Sequence, residues 1–274
     1  MTKRLLCVLI ITKNEEHHLP ACIEQLDSIA DQVIVIDSGS EDATVEIAKS
    51  LGAKVVHREF SNFGDQWNYA LTCVPKYFHW VMKIDPDERI SPPLKQALTN
   101  FLLQDHYTNA ILKRRLWFLG NPLAVYDDVL RVWKNGECRF LDAEVNEHPI
   151  VEGRSLILDG ILEHLDSVNL EAWLAKQNRY STIEADQFFS KSECRGIEKP
   201  GISRRLVARK KIKRLLLKTP LSELLIFLDS FIFRGAWRSG SLGFQWSLLR
   251  AETFRWKKLK ILEIRLIQKV KRSS

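Results

Sequence analysis

Three short, almost unbroken apolar runs, residues 5–11, 33–36 and 79–84, each end in a polar cluster. Rich in Val, Leu and Ile, they predict strands buried on both faces of a sheet. Helical spacing predicts helices over 17–30 (Leu19, Cys22, Ile23 and Leu26 on one face), over 44–51, closed by Gly52, and over 66–74. A short strand falls at 54–57, and Pro92-Pro93 open a helix to about residue 103. Strand alternating with helix, with polar loops after the strands, predicts an α/β fold with a mostly parallel central sheet flanked by helices. Ligands of such sheets bind beyond the carboxyl ends of the strands. The clusters 12–16, 37–40 and 85–88, far apart in sequence, are therefore expected to share one crevice.

The pattern changes after residue 105. Short β-like pieces at 110–118, 129–133, 150–151 and 156–158 are separated by turns at Gly120-Asn121-Pro122 and Asn135-Gly136. A helix is predicted over 170–189, a Gly/Ser/Trp loop over 234–243 and one long basic helix over 246–270. This divides the chain into a body, 1–200, whose pattern changes at about residue 105, and a basic amphipathic helical extension, 201–274.

Charge follows the same division. The net charge of +7 combines +15 over residues 202–274 with −8 over the first 201. A basic extension on an acidic body calls for an anionic partner, a membrane surface or nucleic acid. Eight Lys/Arg lie within 204–218, beside apolar residues 221–233, which favours anionic lipid; no RNA- or DNA-binding motif appears. The longest uncharged apolar run, 5–11, is too short to span a bilayer, and the Lys13-Asn14-Glu15-Glu16 that follows is no signal-peptidase site. Five scattered cysteines without a CxxC pair predict reduced thiols.

Two clusters carry recognisable chemistry. Asp85-Pro86-Asp87 sets two carboxylates at i and i+2 just past a buried strand, suiting an oxygen-preferring divalent cation that neutralises a diphosphate. Asp37-Ser38-Gly39-Ser40-Glu41-Asp42 offers a tight turn at Gly39, with amides and hydroxyls able to hold a ribose, base or phosphate. Neither a GxGxxG fingerprint nor a Walker loop is present.

Residues Ile10-Ile11-Thr12-Lys13-Asn14-Glu15-Glu16, Val35-Ile36-Asp37-Ser38-Gly39-Ser40 and Ile84-Asp85-Pro86-Asp87-Glu88, in this order and spacing, resemble the family-2 inverting glycosyltransferases of GT-A fold. Val145-Asn146-Glu147-His148, Ile161-Leu162-Glu163-His164 and the 176–185 helix look like the branch that builds lipopolysaccharide cores and other bacterial surface glycans. So do Arg234-Gly235-Ala236-Trp237 and 240–243. The resemblance implies that the body, 1–200, is the catalytic domain, with a donor half, about 1–105, and an acceptor half, about 106–200. The resemblance implies that Thr12, Asn14, Glu15, Asp37, Ser38 and Asp85 line the nucleotide-sugar, with Gln66 and Asn68 touching nucleotide or sugar. It implies that Asp85 and Asp87 bind Mg²⁺ or Mn²⁺, with His164 a further metal or diphosphate contact. Pro86 departs from the small residue more usual there; it stiffens the turn and removes no ligand.

Inverting transfer needs a base on the acceptor hydroxyl, and Asp127, Asp128, Asp142, Glu144 and Glu147 are the candidates. Glu147 is favoured because Glu147-His148 matches the branch's glutamate, with Glu88 placed beside the metal motif. The implied activity is transfer of a sugar from a nucleotide-sugar, UDP-linked by expectation, to a lipid-linked or lipopolysaccharide-type glycan. The implied location is the cytoplasm, peripheral on the inner face of the membrane, with contact through 204–233. The rivals are a polyprenyl-phosphate glycosyltransferase and a non-catalytic membrane-associated assembly module that keeps a nucleotide-binding shell.

Overall fold

In the computed structural model, which describes residues 5–141, 148–166, 169–189, 215–217 and 219–273, the three apolar runs become adjacent strands of a nine-stranded sheet. β1 (Leu6–Thr12) lies between β2 (Gln32–Asp37) and β4 (Trp80–Lys83), parallel to both, and β3 (Lys54–His57) pairs parallel with β2. Leu6, Val8 and Ile10 point into one core, while Cys7 and Leu9 point into the other. That two-sided burial is why the run is apolar at every position rather than at alternate ones.

The first core is filled by α1 (Leu19–Glu24) and α4 (Pro92–Leu102), through Leu19, Cys22, Leu94, Leu98 and Phe101. α2 (Thr44–Ser50) contributes Ala48 to it. The second core is filled by α3 (Phe63–Thr72), through Trp67 and Ala70. α1 is much shorter than the helix expected over 17–30. Beyond it the bonds tighten to three-residue steps, with Leu26 N–H donating to Ile23 O and Ile29 N–H to Leu26 O, both at 2.9 Å. Leu26 and Ile29 stay buried, so the apolar period is kept while the α-geometry is not.

The sheet continues through β7 (Asn121–Lys134), antiparallel to β4, and β6 (Asn109–Phe118) to β11 (Leu162–His164) and β5 (Glu88–Ile90). β10 (Ser155–Ile157) pairs parallel with β6, as does β11, and β8 (Cys138–Phe140) and β9 (Pro149–Val151) form a separate two-stranded ribbon. The expected α/β fold of GT-A type, mostly parallel and helix-flanked, is thus present. β7 runs for 14 residues rather than the expected five or so, because Pro122 sits near the strand's start, where a missing N–H costs little.

The chain divides into two compact units, Met1–Leu116 with Tyr126–Leu165, and Trp117–Val125 with Asp166–Ser274. The second contains α5 (Leu170–Phe189), α6 (Ser222–Leu228), a π-helical turn at Asp229–Phe233, a 3₁₀ turn at Ala236–Ser239 and α7 (Gly240–Ser273). α7 begins inside the segment expected to be a loop. A Cβ at Gly243 would lie 1.8 Å from the Ala236 carbonyl oxygen, so this glycine lets the helix lie directly on the turn before it. No helix among the described residues is long and apolar enough to cross a membrane.

Candidate functional site

The parallel register of β1 and β2 sets Thr12 beside Asp37, and the loops leaving those strands are tied together by reciprocal bonds. Asn14 N–H donates to Ser40 Oγ at 2.9 Å, and Glu41 N–H returns to Asn14 Oδ1 at 2.8 Å. Glu15 N–H donates to Thr44 Oγ1 at 2.8 Å, Glu16 N–H to Asp42 Oδ2 at 3.2 Å, and Ala43 N–H to Glu16 Oε2 at 3.0 Å. Asn14 adopts a left-handed φ of 56°, a conformation Asn tolerates better than most residues. Two segments more than 20 positions apart in sequence therefore form one polar surface.

Asp37 organises that surface. Its carboxylate accepts from Gly39 N–H at 2.9 Å, Ser40 Oγ at 2.5 Å and Ser40 N–H at 3.1 Å, with His57 Nδ1 at 3.5 Å. Gly39 turns at φ 82°, the left-handed region that favours glycine. Burial pushes the Asp37 carboxyl up, but the donors from Ser40, Gly39 and His57 outweigh it and hold the group below its ordinary value. A depressed carboxyl contributes stability above the unfolded value of about 4, and loses it as pH falls through the folded one. The melting-temperature gap between wild type and Asp37→Asn is expected to be widest near neutrality and to close as pH falls below about 4.

Ser38 continues the surface toward α3, its Oγ accepting from Gln66 Nε2 at 3.1 Å. Gln66 is fully buried, and its Oε1 has no hydrogen-bond partner. Asn68, two residues and just over half a turn on, faces elsewhere. Its Nδ2 donates to Phe140 O at 3.0 Å and its Oδ1 accepts from Phe140 N–H at 2.8 Å, anchoring the end of β8.

At the end of β4, the Asp85–Glu88 turn is held on three sides. Arg89 donates to Pro86 O at 2.7 Å and His18 O at 2.9 Å, and Asp85 N–H donates to Glu88 Oε2 at 3.0 Å. Arg131 Nη2 lies 2.8 Å from Asp85 Oδ2, and Lys83 Nζ lies 3.8 Å from Asp85 Oδ1. Burial raises the Asp85 carboxyl, but Lys83 and Arg131 bring it down to about 2, so it is ionised throughout the physiological range. Glu88, 0% exposed, pairs with Arg131 and stands 3.5 Å from Arg114 Nη1. It is a buried counter-charge rather than an open ligand.

Antiparallel pairing of β11 with β5 brings His164 opposite Glu88, and its Nε2 reaches Asp87 Oδ2 at 3.2 Å. Burial lowers the His164 pKa, and the Asp87 charge and hydrogen bond more than reverse that, leaving it above its ordinary value. Its Nδ1 is buried without a hydrogen-bond partner. Among the described residues no group of three His, Cys, Asp or Glu side chains stands assembled for a metal. The chemistry of the donors fits Mg²⁺ or Mn²⁺: Asp85 and Asp87 supply carboxylate oxygens, and His164 Nε2 is the imidazole nitrogen beside Asp87.

Among the base candidates, Asp127 stands 3.8 Å from Arg114 Nη2 and Asp128 is exposed. Asp142, Glu144 and Glu147 lie outside the described residues. Lys83, Arg114 and Arg131 do not figure among the residues singled out from sequence. Lys83, 3% exposed, sits 4.4 Å from the centroid of the Trp67 ring, and Arg131 is 4% exposed. A cation inside an apolar strand, as in Val81-Met82-Lys83-Ile84 and Leu130-Arg131-Val132, is the signal that points to them.

A model of Glycosyl transferase family 2 sequences matches residues 7–150. The lipopolysaccharide core biosynthesis glycosyltransferase LpsC of Rhizobium meliloti is 27% identical over 251 residues, covering 87% of this chain and 85% of LpsC. An uncharacterized glycosyltransferase of Rickettsia typhi is 30% identical over 193 residues, or 64% of this chain. The match spans 65% of that relative's length. Among solved structures, glucosyl-3-phosphoglycerate synthase from Mycobacterium tuberculosis, in complex with Mn²⁺, UDP-glucose and phosphoglyceric acid, is 25% identical with a TM-score of 0.36. That likeness covers 41% of this chain and 44% of the synthase.

Proposed function

The chain belongs to glycosyl transferase family 2, and from that premise we propose that it moves a sugar from a UDP-linked donor to a lipid-linked or lipopolysaccharide-type glycan, with inversion. The observation that carries this reading is the joining of three strand-end clusters at one edge of the sheet: Thr12–Glu16 stitched to Asp37–Thr44, and Asp85–Glu88 on the next strand. The likeness to LpsC supports an acceptor of lipopolysaccharide type.

In this reading Thr12, Asn14, Glu15, Asp37, Ser38, Gln66, Asn68 and Asp85 bind the nucleotide-sugar. Asp37 acts largely by holding the Gly39–Ser40 turn in shape, and Asn68 through the strand it anchors. Asp85, Asp87 and His164 would hold Mg²⁺ or Mn²⁺, which when bound neutralises the diphosphate and the charge growing on the leaving group. Glu147 takes the proton from the acceptor hydroxyl as that oxygen bonds to the anomeric carbon. The bond from that carbon to the diphosphate oxygen breaks on the opposite face, releasing the nucleoside diphosphate. Residues 1–200 are the transferase body and 201–274 the extension. The basic 204–233 stretch would hold the enzyme on the cytoplasmic face of the membrane; residues 204–214 lie outside those described.

Calorimetric titration of UDP with and without Mn²⁺ tests the donor site. The expected result is metal-dependent binding that weakens at least about 100-fold in Asp85→Ala. Equal binding with and without Mn²⁺, or by the variant, would remove Asp85 from the donor site. Preference for GDP would keep the transferase and change the donor.

A further inference from the structure

The outer face of α7 carries a row of exposed apolar side chains, interrupted between Leu248 and Leu259 by Glu252 and Arg255. Phe244, Leu248, Leu259, Leu262, Leu266 and Val270 follow steps of three, four and eleven residues, which keeps them on one side. The buried row of the same helix, Ser247, Phe254, Lys257 and Ile261, lies on the opposite side. Leu259, Leu262, Leu266 and Val270 are each exposed over about half of their surface or more. Beyond Ile261 no described residue of α7 is buried. Over three more turns, roughly 18 Å, the apolar stripe stays exposed among the described residues.

Charge identifies what covers it. Residues 255–272 contain eight Lys/Arg against one Glu. Lys257 and Lys258 pair internally with Glu184 at 2.8 Å and Glu223 at 3.0 Å, Lys260 Nζ donates to Asn178 O at 2.7 Å, and Arg265 lies 5.5 Å from the Phe188 ring centroid. Arg255, itself exposed, falls in the apolar row one turn before Leu259. A second copy of the chain would bring like charge against like. An anionic bilayer satisfies both features, taking the leucines into the acyl boundary while the long basic side chains reach headgroup phosphates.

We infer that the outer face of α7, centred on Leu259, Leu262 and Leu266, lies on an anionic lipid bilayer. The inference deepens the membrane reading given above by naming a contact face outside 204–233, and it rests on that reading only for the identity of the surface.

The test is co-sedimentation of the whole protein with phosphatidylcholine vesicles, with and without phosphatidylglycerol. Wild type is expected to bind only the anionic vesicles and to be released by salt. Leu262→Gln/Leu266→Gln is expected to bind at least about tenfold more weakly with unchanged melting temperature, since both side chains are already exposed. Arg255→Gln/Lys271→Gln should lose part of the salt dependence. A third variant, Arg209→Gln/Lys210→Gln/Lys211→Gln, reports on the 204–233 stretch alone. Undiminished binding by the leucine variant overturns the α7 inference and leaves the broader membrane reading standing. Failure of wild type to bind anionic vesicles overturns both. A lipid-free dimer that the leucine variant dissociates makes the occupant a second copy and overturns the bilayer assignment.

Discussion

Replacing Arg131 by methionine is expected to lower folding stability by about 3–5 kcal/mol, the usual consequence of stranding a buried charge. Glu88 has no exposure to water. Its carboxylate is shared between Arg131, Arg114 at 3.5 Å and the Asp85 amide at 3.0 Å. Methionine fills the space of the guanidinium stem but supplies no charge, so Glu88 keeps its desolvation cost with one distant cation left. Asp85 loses its 2.8 Å partner in the same step. The measurement is the urea midpoint at unchanged slope. Adding Glu88→Gln to Arg131→Met should recover part of the loss, because the second substitution removes the stranded charge. The two single effects would then be strongly non-additive. A loss below about 1 kcal/mol in the single variant would mean that water reaches Glu88 and that the turn is held by Arg89 instead.

That network also marks where sequence reasoning runs out. The central strands are legible because burial on both faces leaves a continuous apolar word, as in Leu6–Thr12, that few other structures write. Parallel pairing then brings the clusters after β1, β2 and β4 to one edge, so their convergence follows from topology alone. The second half of the sheet is legible only in part: β6, expected over 110–118, is found at Asn109–Phe118, but the far edge is not legible. β5 and β11 are three residues each, too short for a period to show, and β11 finds β5 across more than 70 positions of chain. His164 can be suspected as a titratable residue, but its 3.2 Å contact with Asp87 comes only from that pairing. Gly240 and Gly243 read as loop residues because glycine disfavours helices in general; the close approach of Ala236 O, which makes glycine necessary at 243, is a tertiary fact. Lys83 and Arg131 are visible as misfits in apolar strands, yet the sequence does not say which carboxylates they meet.

The largest kinetic effect is expected from Glu147→Gln. If the acceptor is a sugar hydroxyl, its proton must leave as the new glycosidic bond forms, and a positioned carboxylate supplies about 10²–10⁴ of the rate. Glutamine keeps the shape and loses the basicity, so kcat should fall by that factor. Calorimetric binding of UDP should stay within about twofold of wild type, because the loop around Asp37 and the Asp85 turn, proposed to hold the donor, are closed by bonds of their own. Polyprenyl phosphate makes the opposite demand. Its oxygen is already anionic, no proton has to move, and Glu147→Gln should then transfer at close to the wild-type rate. The comparison therefore separates the two acceptor chemistries on one fold. Asp142→Asn and Glu144→Gln serve as controls: a loss of similar size in either, with Glu147→Gln active, would move the base along the segment while keeping the hydroxyl acceptor. Loss of transfer with loss of UDP binding would instead mean that Glu147 serves the donor site.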